Sequence, residues 1–341
     1  MKTAIIARLG ILSAFWFCLL TSSSVAQIYT ITDLGTLPGG TYSAAIAVNS
    51  FGQVAGYSDG PPTQHAILWS KTHGMLDLGT LFSGGPSWAA GINDLGHVTG
   101  GSWIDDFNNA AFLWTPAQGL QDIVAVLDGQ GGLSISNFNI VVGSTTVEPP
   151  EAFVWTKDGG ELNLNTTLGG LGSVASGVND RGQVVGYFDS EDGSFHAYIW
   201  SVQSGLKDLG EGQASAINIF ENVVGVNAAG HAFLWEKNKG MGDLGTLAGD
   251  DSSDATAINF WGQVVGTSTL NPNSRAFLWT AETGMLDLNT LIPTGSGWIL
   301  QSATGINIFG QIVGNGQING QPHGFLLTLR RPVGKLSSTV P

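Results

Sequence analysis

The chain has 341 residues, 43% of them hydrophobic and 11% charged, with 26 acidic residues against 12 basic ones and a formal net charge of −14. The 50 glycines, roughly twice the usual ~7% share, exclude a mainly helical protein, because glycine costs too much backbone entropy in a helix. The acidic balance and the lack of any Lys or Arg run exclude a groove that follows nucleic acid, and the scarcity of charge excludes a coiled coil.

In chain order, residues 1–26 read as a secretory signal. Lys2 and Arg8 form its basic head, Leu9 to Leu20 its apolar run, and Ser24-Val25-Ala26 a small-residue cleavage site. The run is about 12 residues, short of the roughly 20 that span a bilayer. Cys18, the only cysteine, lies inside it, so the mature chain expected from Gln27 has no disulfide, thiolate metal ligand or cysteine nucleophile. No later stretch approaches spanning length. The expectation is a secreted, monomeric protein, extracellular or periplasmic, with one domain over 27–330 and a short disordered tail over 331–341.

That domain is built from repeats. The phrase AFLW recurs at His65 to Trp69, Ala110 to Trp114, Glu151 to Trp155, His196 to Trp200, His231 to Trp235 and Arg275 to Trp279, and in weaker form at His323 to Leu327. A second phrase, resembling DLGTL, starts at Asp33, Asp77, Asp122, Asn163, Asp208, Asp243 and Asp287, with steps of 44, 45, 41, 45, 35 and 44 residues. A third, of the form apolar-Asn-x-x-Gly-Gln-Val-Val-Gly, covers Val48 to Gly56, Ile92 to Gly100, Val178 to Gly186, Ile258 to Gly266 and Ile306 to Gly314, with degenerate copies ending at Gly143 and Gly225. Each period holds four strand-like runs, the size of one propeller blade.

The phase of the ends matters. The chain starts with a lone fourth strand, Ile28 to Leu34, and finishes after a third strand at Leu329, so the first residues supply what the last repeat lacks. The expected fold is all-β, a seven-bladed β-propeller closed by the N-terminal strand; a β-solenoid is the rival. The small residues of Ala44, Ala45 and Ala47 mark an innermost strand, and the repeated Phe and Trp are expected between blades. The third repeat, with Asn139-Ile140-Val141-Val142-Gly143, reads as lacking the usual turn.

These phrases resemble the HAF-repeat family of extracellular bacterial repeat proteins, through runs such as His231-Ala232-Phe233-Leu234-Trp235. The resemblance covers about Ile28 to Leu329 and implies an exported repeat protein. It implies no activity and carries over no catalytic residues.

Candidate chemistry is sparse. An Asp that recurs six times is expected to cap turn amides, and His65, His196, His231 and His323, at a position that also holds Ala110, Glu151 and Arg275, are expected at exposed strand starts. Gly56-Tyr57-Ser58-Asp59-Gly60 matches a serine-hydrolase string without the helix that must follow it. Two acidic loops, Asp189 to Gly193 and Asp250 to Asp254, offer oxygen ligands for Ca²⁺ but lack the spacing of a calcium loop; no other cofactor is expected.

Tryptophans outside the repeat position are more informative. Trp298, Tyr42, Trp88 and Trp103 are expected in loops of one face on neighbouring blades, with Asp105 and Asp106 beside them, while Trp261 sits on the opposite face. This arc is expected to bind a glycan or another extracellular protein. The alternatives are a polysaccharide lyase or glycosidase, drawing two acids from Asp105, Asp106, Glu148, Glu151 and Asp250, and a structural cell-surface repeat protein.

Overall fold

The computed structural model describes residues 28–330 apart from 61, 127–130, 146–148, 166 and 168–171. The expected signal, the expected tail and Glu148 lie outside the described residues. Among these residues the strands form antiparallel sheets, and one 3-10 turn, Leu288–Thr290, is the only helical element. Among the described residues no helix is long and apolar enough to cross a membrane.

The strands group into seven four-stranded units. The first holds Ser43–Val48, Val54–Ser58, His65–Ser70 and Gly74–Asp77; the second Ser87–Ile92, Val98–Trp103, Asn109–Thr115 and Gly119–Val126; the third Gly131–Ile135, Val141–Ser144, Ala152–Thr156 and Gly160–Asn163. The fourth and fifth share the 13-residue strand Gly205–Ile217. Its first half pairs with Phe195–Ser201 and its second half with Val223–Asn227, joining both units into one seven-stranded sheet. The sixth holds Ser252–Ile258, Val264–Leu270, Asn273–Thr280 and Gly284–Asp287. In the seventh, Trp298–Ile306, Ile312–Ile318 and Gln321–Leu329 are completed by Tyr29–Asp33 from the other end of the chain. This is the closure that the phase of the repeats implies. A solenoid has no place for it.

The inner strands crowd around an axial cavity of about 290 Å³, lined in turn by Ile46, Ala90, Leu133, Ser176, Ser215, Thr256 and Thr304. Small residues suit that crowding, and a bulge interrupts the inner strands at one recurring place, as between Ala45 and Ala47 or Ala175 and Gly177. Sterics also dictate the glycine that ends Gln-Val-Val-Gly. A methyl on Gly266 would strike the carbonyl oxygen of Asp254 on the neighbouring strand, and one on Gly186 that of Val174.

Between units, the repeated phenylalanine is fully covered. Phe112, for example, packs with Ala89 and Val98 of its own unit against Ala55, Ala66 and Leu68 of the unit before it. The same arrangement closes the ring, where Val313 and Leu326 of the seventh unit meet Ala45, Val54 and Ile67 of the first. Tyr29, brought in by the closing strand, is 1% exposed, and burial pushes its hydroxyl up to about 12.

A belt of side-chain amides links the same elements from below. Asn259 ends the sixth inner strand; its Oδ1 accepts from the backbone N–H groups of Trp261 and Gln263, and its Nδ2 donates to the carbonyl of Asn307 in the next unit at 3.1 Å. Asn307 passes the link on to the carbonyl of Asn49 at 2.9 Å, and Asn49 to that of Asn93 at 3.1 Å. Asn179 and Asn218 do the same in the fourth and fifth units. In the third unit the turn is present after all, correcting the expectation. Ser136 replaces Asn and accepts from Phe138 and Ile140, while Asn139 adopts φ 58° where five of the other turns have glycine and the fifth unit has Glu221 at φ 67°. Asn137 then carries the link to Asp180 of the fourth unit, with backbone and side-chain donors at 2.8 and 2.9 Å.

Two outcomes are expected from these features. Asn307→Ala removes two turn caps and an inter-unit bond from a buried site, and should lower unfolding free energy by about 1–3 kcal/mol in urea titrations, whereas Phe107→Ser, at an exposed tip of the opposite face, should leave it nearly unchanged. Asp254 reaches solvent yet is crowded by its neighbours, and desolvation raises its carboxyl above 3.8. The ionised group therefore destabilises the fold at neutral pH and costs nothing below the unfolded value. Asp254→Asn should raise Tm at pH 7, and the gain should vanish as pH falls below about 3.8.

Candidate functional site

Strand direction divides the molecule into two faces. One carries the second-to-third connections and the passages between units, and is called the loop face here. The other carries the first hairpin of each unit and the third-to-fourth turns, and is the turn face.

The aromatic arc belongs to the loop face, and its residues stand in different settings there. Trp298 opens the seventh inner strand instead of standing in a loop; it is 9% exposed and meets Phe325 edge-on at 5.8 Å. Its burial as core corrects its expected place in a binding surface. Trp88 likewise lies within an inner strand, with its half-buried indole against Gly101. Trp103 is the last residue of its strand and packs beside Gly85. Tyr42 donates its hydroxyl to Gln64 Oε1 at 2.7 Å and meets Tyr57 edge-on at 6.3 Å. Asp105 accepts from Asn108 Nδ2 and from the N–H groups of Phe107 and Asn108, which hold its carboxyl below the usual range. Asp106 stands exposed beside it.

The other candidates have structural work to do. Asp77, Asp208 and Asp243 each cap the N–H two residues on, at 2.7–2.8 Å, as expected. The histidines are more involved than expected, since each is partly covered and bonds through Nδ1 to the Asp across the strand pair. The distances are 2.9 Å for His65–Asp77, 2.8 Å for His196–Asp208, 2.9 Å for His231–Asp243 and 2.9 Å for His323–Asp33. In the third unit the roles are exchanged, with Asn163 Nδ2 donating to Glu151 Oε2 at 2.6 Å. Arg275 takes the histidine place in the sixth, reaching Asp250 at 2.7 Å and Asp287 at 3.4 Å. Ser58, of the hydrolase-like string, is fully buried; it accepts from the N–H of Leu37 at 3.0 Å and donates to the carbonyl of Tyr42 at 2.9 Å.

The Leu37 contact bears on an open site of the loop face. Between most units a passage of the form Leu-Gly-Thr-Leu crosses, and its second leucine plugs the seam. Leu37, Leu247 and Leu291 are 7%, 5% and 1% exposed, and the first two tie their N–H to Ser58 and Ser268. The 35-residue repeat has no such passage, because the shared strand runs straight through Leu209-Gly210-Glu211-Gly212 with no second leucine. The seam stays open as a pocket of about 370 Å³, lined by Phe195, Glu211, Gln213, Val226 and Asn227 among others. Phe195 is 46% exposed and meets Tyr187 edge-on at 5.3 Å. Glu211 is the one carboxylate among the described residues that line it.

The turn face presents something that single-motif reading missed. The tip residue of the first hairpin is Phe51, Leu95, Phe138, Arg181, Phe220, Trp261 and Phe309 in successive units, and the six apolar ones are 53–75% exposed. Phe260 and Ile308, at 44% and 43%, extend the ring. Phe220, Phe260 and Trp261 stack edge-on at 4.8 and 4.9 Å, and Trp261 Nε1 donates to the carbonyl of Ile308 at 2.9 Å. Charge divides along the same axis. Lys71, Lys157, Arg181, Lys237, Lys239 and Arg330 lie toward the turn face, where Glu221 and Glu236 pair with Lys237 and Lys239 at 3.5 and 2.6 Å. On the loop face Arg275 is the lone Lys or Arg among the described residues, against the whole series of fourth-strand and loop aspartates.

No family model and no curated protein matches the chain. Among solved structures it is similar to a streptogramin B lyase, with a TM-score of 0.58, 8% identity, and coverage of 89% of this chain and 98% of that one. It is similar too to virginiamycin B lyase from Staphylococcus aureus, with a TM-score of 0.55, 9% identity and coverage of 89% and 99%. YCF48 bound to D1 peptide gives a TM-score of 0.53, 10% identity and coverage of 92% and 97%. At these identities the likeness shows the fold, a β-propeller.

Proposed function

We propose that this chain is an exported, non-catalytic β-propeller module that binds a glycan at the open seam between its fourth and fifth units. The observation that carries this reading is the missing leucine plug, which leaves an aromatic face, a carboxylate and two amides around a pocket of about 370 Å³. Sugars present C–H faces that suit Phe195 and hydroxyls that suit Glu211 and Gln213. A glycosidase needs two carboxyl groups about 5–9.5 Å apart. Glu211 stands alone in the pocket, and of the other candidate acids Asp105, Glu151 and Asp250 are each committed to hydrogen bonds while Asp106 stands exposed beside one of them. Binding therefore fits better than turnover. The HAF-repeat resemblance, which implies export without an activity, agrees with it.

The test is a glycan array probed with the purified chain, followed by titration of any hit with Phe195→Ala and Glu211→Gln, and with Trp88→Ala and Trp103→Ala for the aromatic arc. Selective binding that weakens at least about tenfold in the seam variants, a loss of roughly 1.4 kcal/mol, with unchanged melting, is the expected result. Binding lost only in the arc variants would move the site to Trp88 and Trp103, and silence across the array would overturn the glycan reading.

A further inference from the structure

The apolar ring on the turn face lies on the opposite side of the molecule from the seam and has no part in that reading. Its position in the repeat is the tip of the first hairpin, where neither the fold nor the amide belt requires an apolar side chain. Arg181 occupies the same place in the fourth unit, and its neighbours Asn179 and Gly182 hold the same turn there. Six large apolar side chains at seven such places, all more than half exposed, are therefore unexplained by packing within the chain.

The size of the surface bears on what covers it. With about 200 Å² for each such side chain, the fractional exposures of the ring leave on the order of 900 Å² of apolar surface on one face. The largest apolar patch on a typical monomer is about 300–600 Å², and one partner of a standard interface contributes about 800 Å². The ring thus has the area of half a stable interface.

Charge selects the occupant. The chain carries a formal net charge of −14, and its acidic residues crowd the loop face, so two copies repel one another there. On the turn face Lys237 and Lys239 pair with Glu221 and Glu236, Asp94, Asp158, Asp180 and Glu282 in the same turns offset Lys71, Lys157, Arg181 and Arg330, and the apolar ring sits inside a rim of both signs. Two such faces brought together meet no net repulsion and send their acidic faces outward. A two-fold arrangement also closes on itself: with both turn faces used, further copies meet only like charge.

We propose that the turn face is a self-association surface, on which a second copy of this chain docks face to face and covers the ring of Phe51, Leu95, Phe138, Phe220, Trp261 and Phe309. The assembly is a closed dimer in place of the monomer that sequence analysis expects.

Sedimentation equilibrium and light scattering on the purified chain test this directly. The expected result is a mass twice that of one chain, and a Tm that rises with protein concentration. Phe51→Glu combined with Phe309→Glu, two exposed tips that flank the closure, should weaken association at least about thirtyfold and give a monomer whose Tm no longer depends on concentration. Phe107→Glu, an equally exposed change on the loop face, should leave the dimer intact. A wild-type chain that stays monomeric up to about 100 μM, far above the Kd expected of an interface this size, overturns the proposal and assigns the ring to a different partner. So does a tip variant that dimerises as tightly as wild type, or a loop-face variant that dissociates instead. None of these outcomes depends on whether a glycan binds the seam.

Discussion

One carboxamide does two jobs at the end of six of the seven inner strands, and the ring depends on both. Its oxygen caps the hairpin that follows, so the chain reverses at a fixed place; its nitrogen reaches across the seam to the neighbouring unit's carbonyl. Hydrophobic contact between units supplies most of the driving force, but it is not directional and would tolerate some sliding of one sheet on the next. A hydrogen bond between buried groups does not. The belt therefore sets how far each unit is turned from its neighbour, and the same angle repeated around the axis brings the seventh unit back to Asn49.

Much of this was legible before any coordinates. Spacing and phase revealed the four-stranded unit, the closing strand and the depth order within each unit, because those follow from backbone periodicity and from residue size. What the repeats concealed was side-chain direction. Asn in a tight turn has a sufficient local explanation, so nothing in the phrase Ile-Asn-x-x-Gly announces that Nδ2 leaves its own unit. The histidines looked like strand starts of no consequence until the cross-strand partner twelve residues on was seen to be the repeated Asp. Trp298 and Trp88 were misplaced for a related reason. Boundaries between a loop and a strand that begins with an aromatic are not marked by composition, and a two-residue error moves an indole from solvent to core.

The surfaces show the opposite pattern. Each tip residue, taken singly, is a hydrophobic residue in a turn and invites no comment. Aligned by repeat, Phe51, Leu95, Phe138, Phe220, Trp261 and Phe309 form a column, and the signal was in the sequence all along at one position of the period. The open seam was harder to see, since it is created by residues that are absent. A step of 35 residues announces only that something is missing, whereas its physical meaning is a strand that continues where other units turn aside.

That continuous strand has a mechanical side. Elsewhere adjacent sheets are separate, joined by a passage that leaves one ladder before it enters the next. Gly205–Ile217 crosses without leaving the sheet, since Gly205 to Glu211 pair with the fourth unit and Gly212 to Ile217 with the fifth, and no slack backbone lies between them. Gly210 and Gly212, at φ 103° and 147°, are where the strand changes direction from one sheet to the other. The walls of the open pocket are thus drawn from one continuous backbone, so its width follows from the bend at these two glycines and not from the length of a connecting loop.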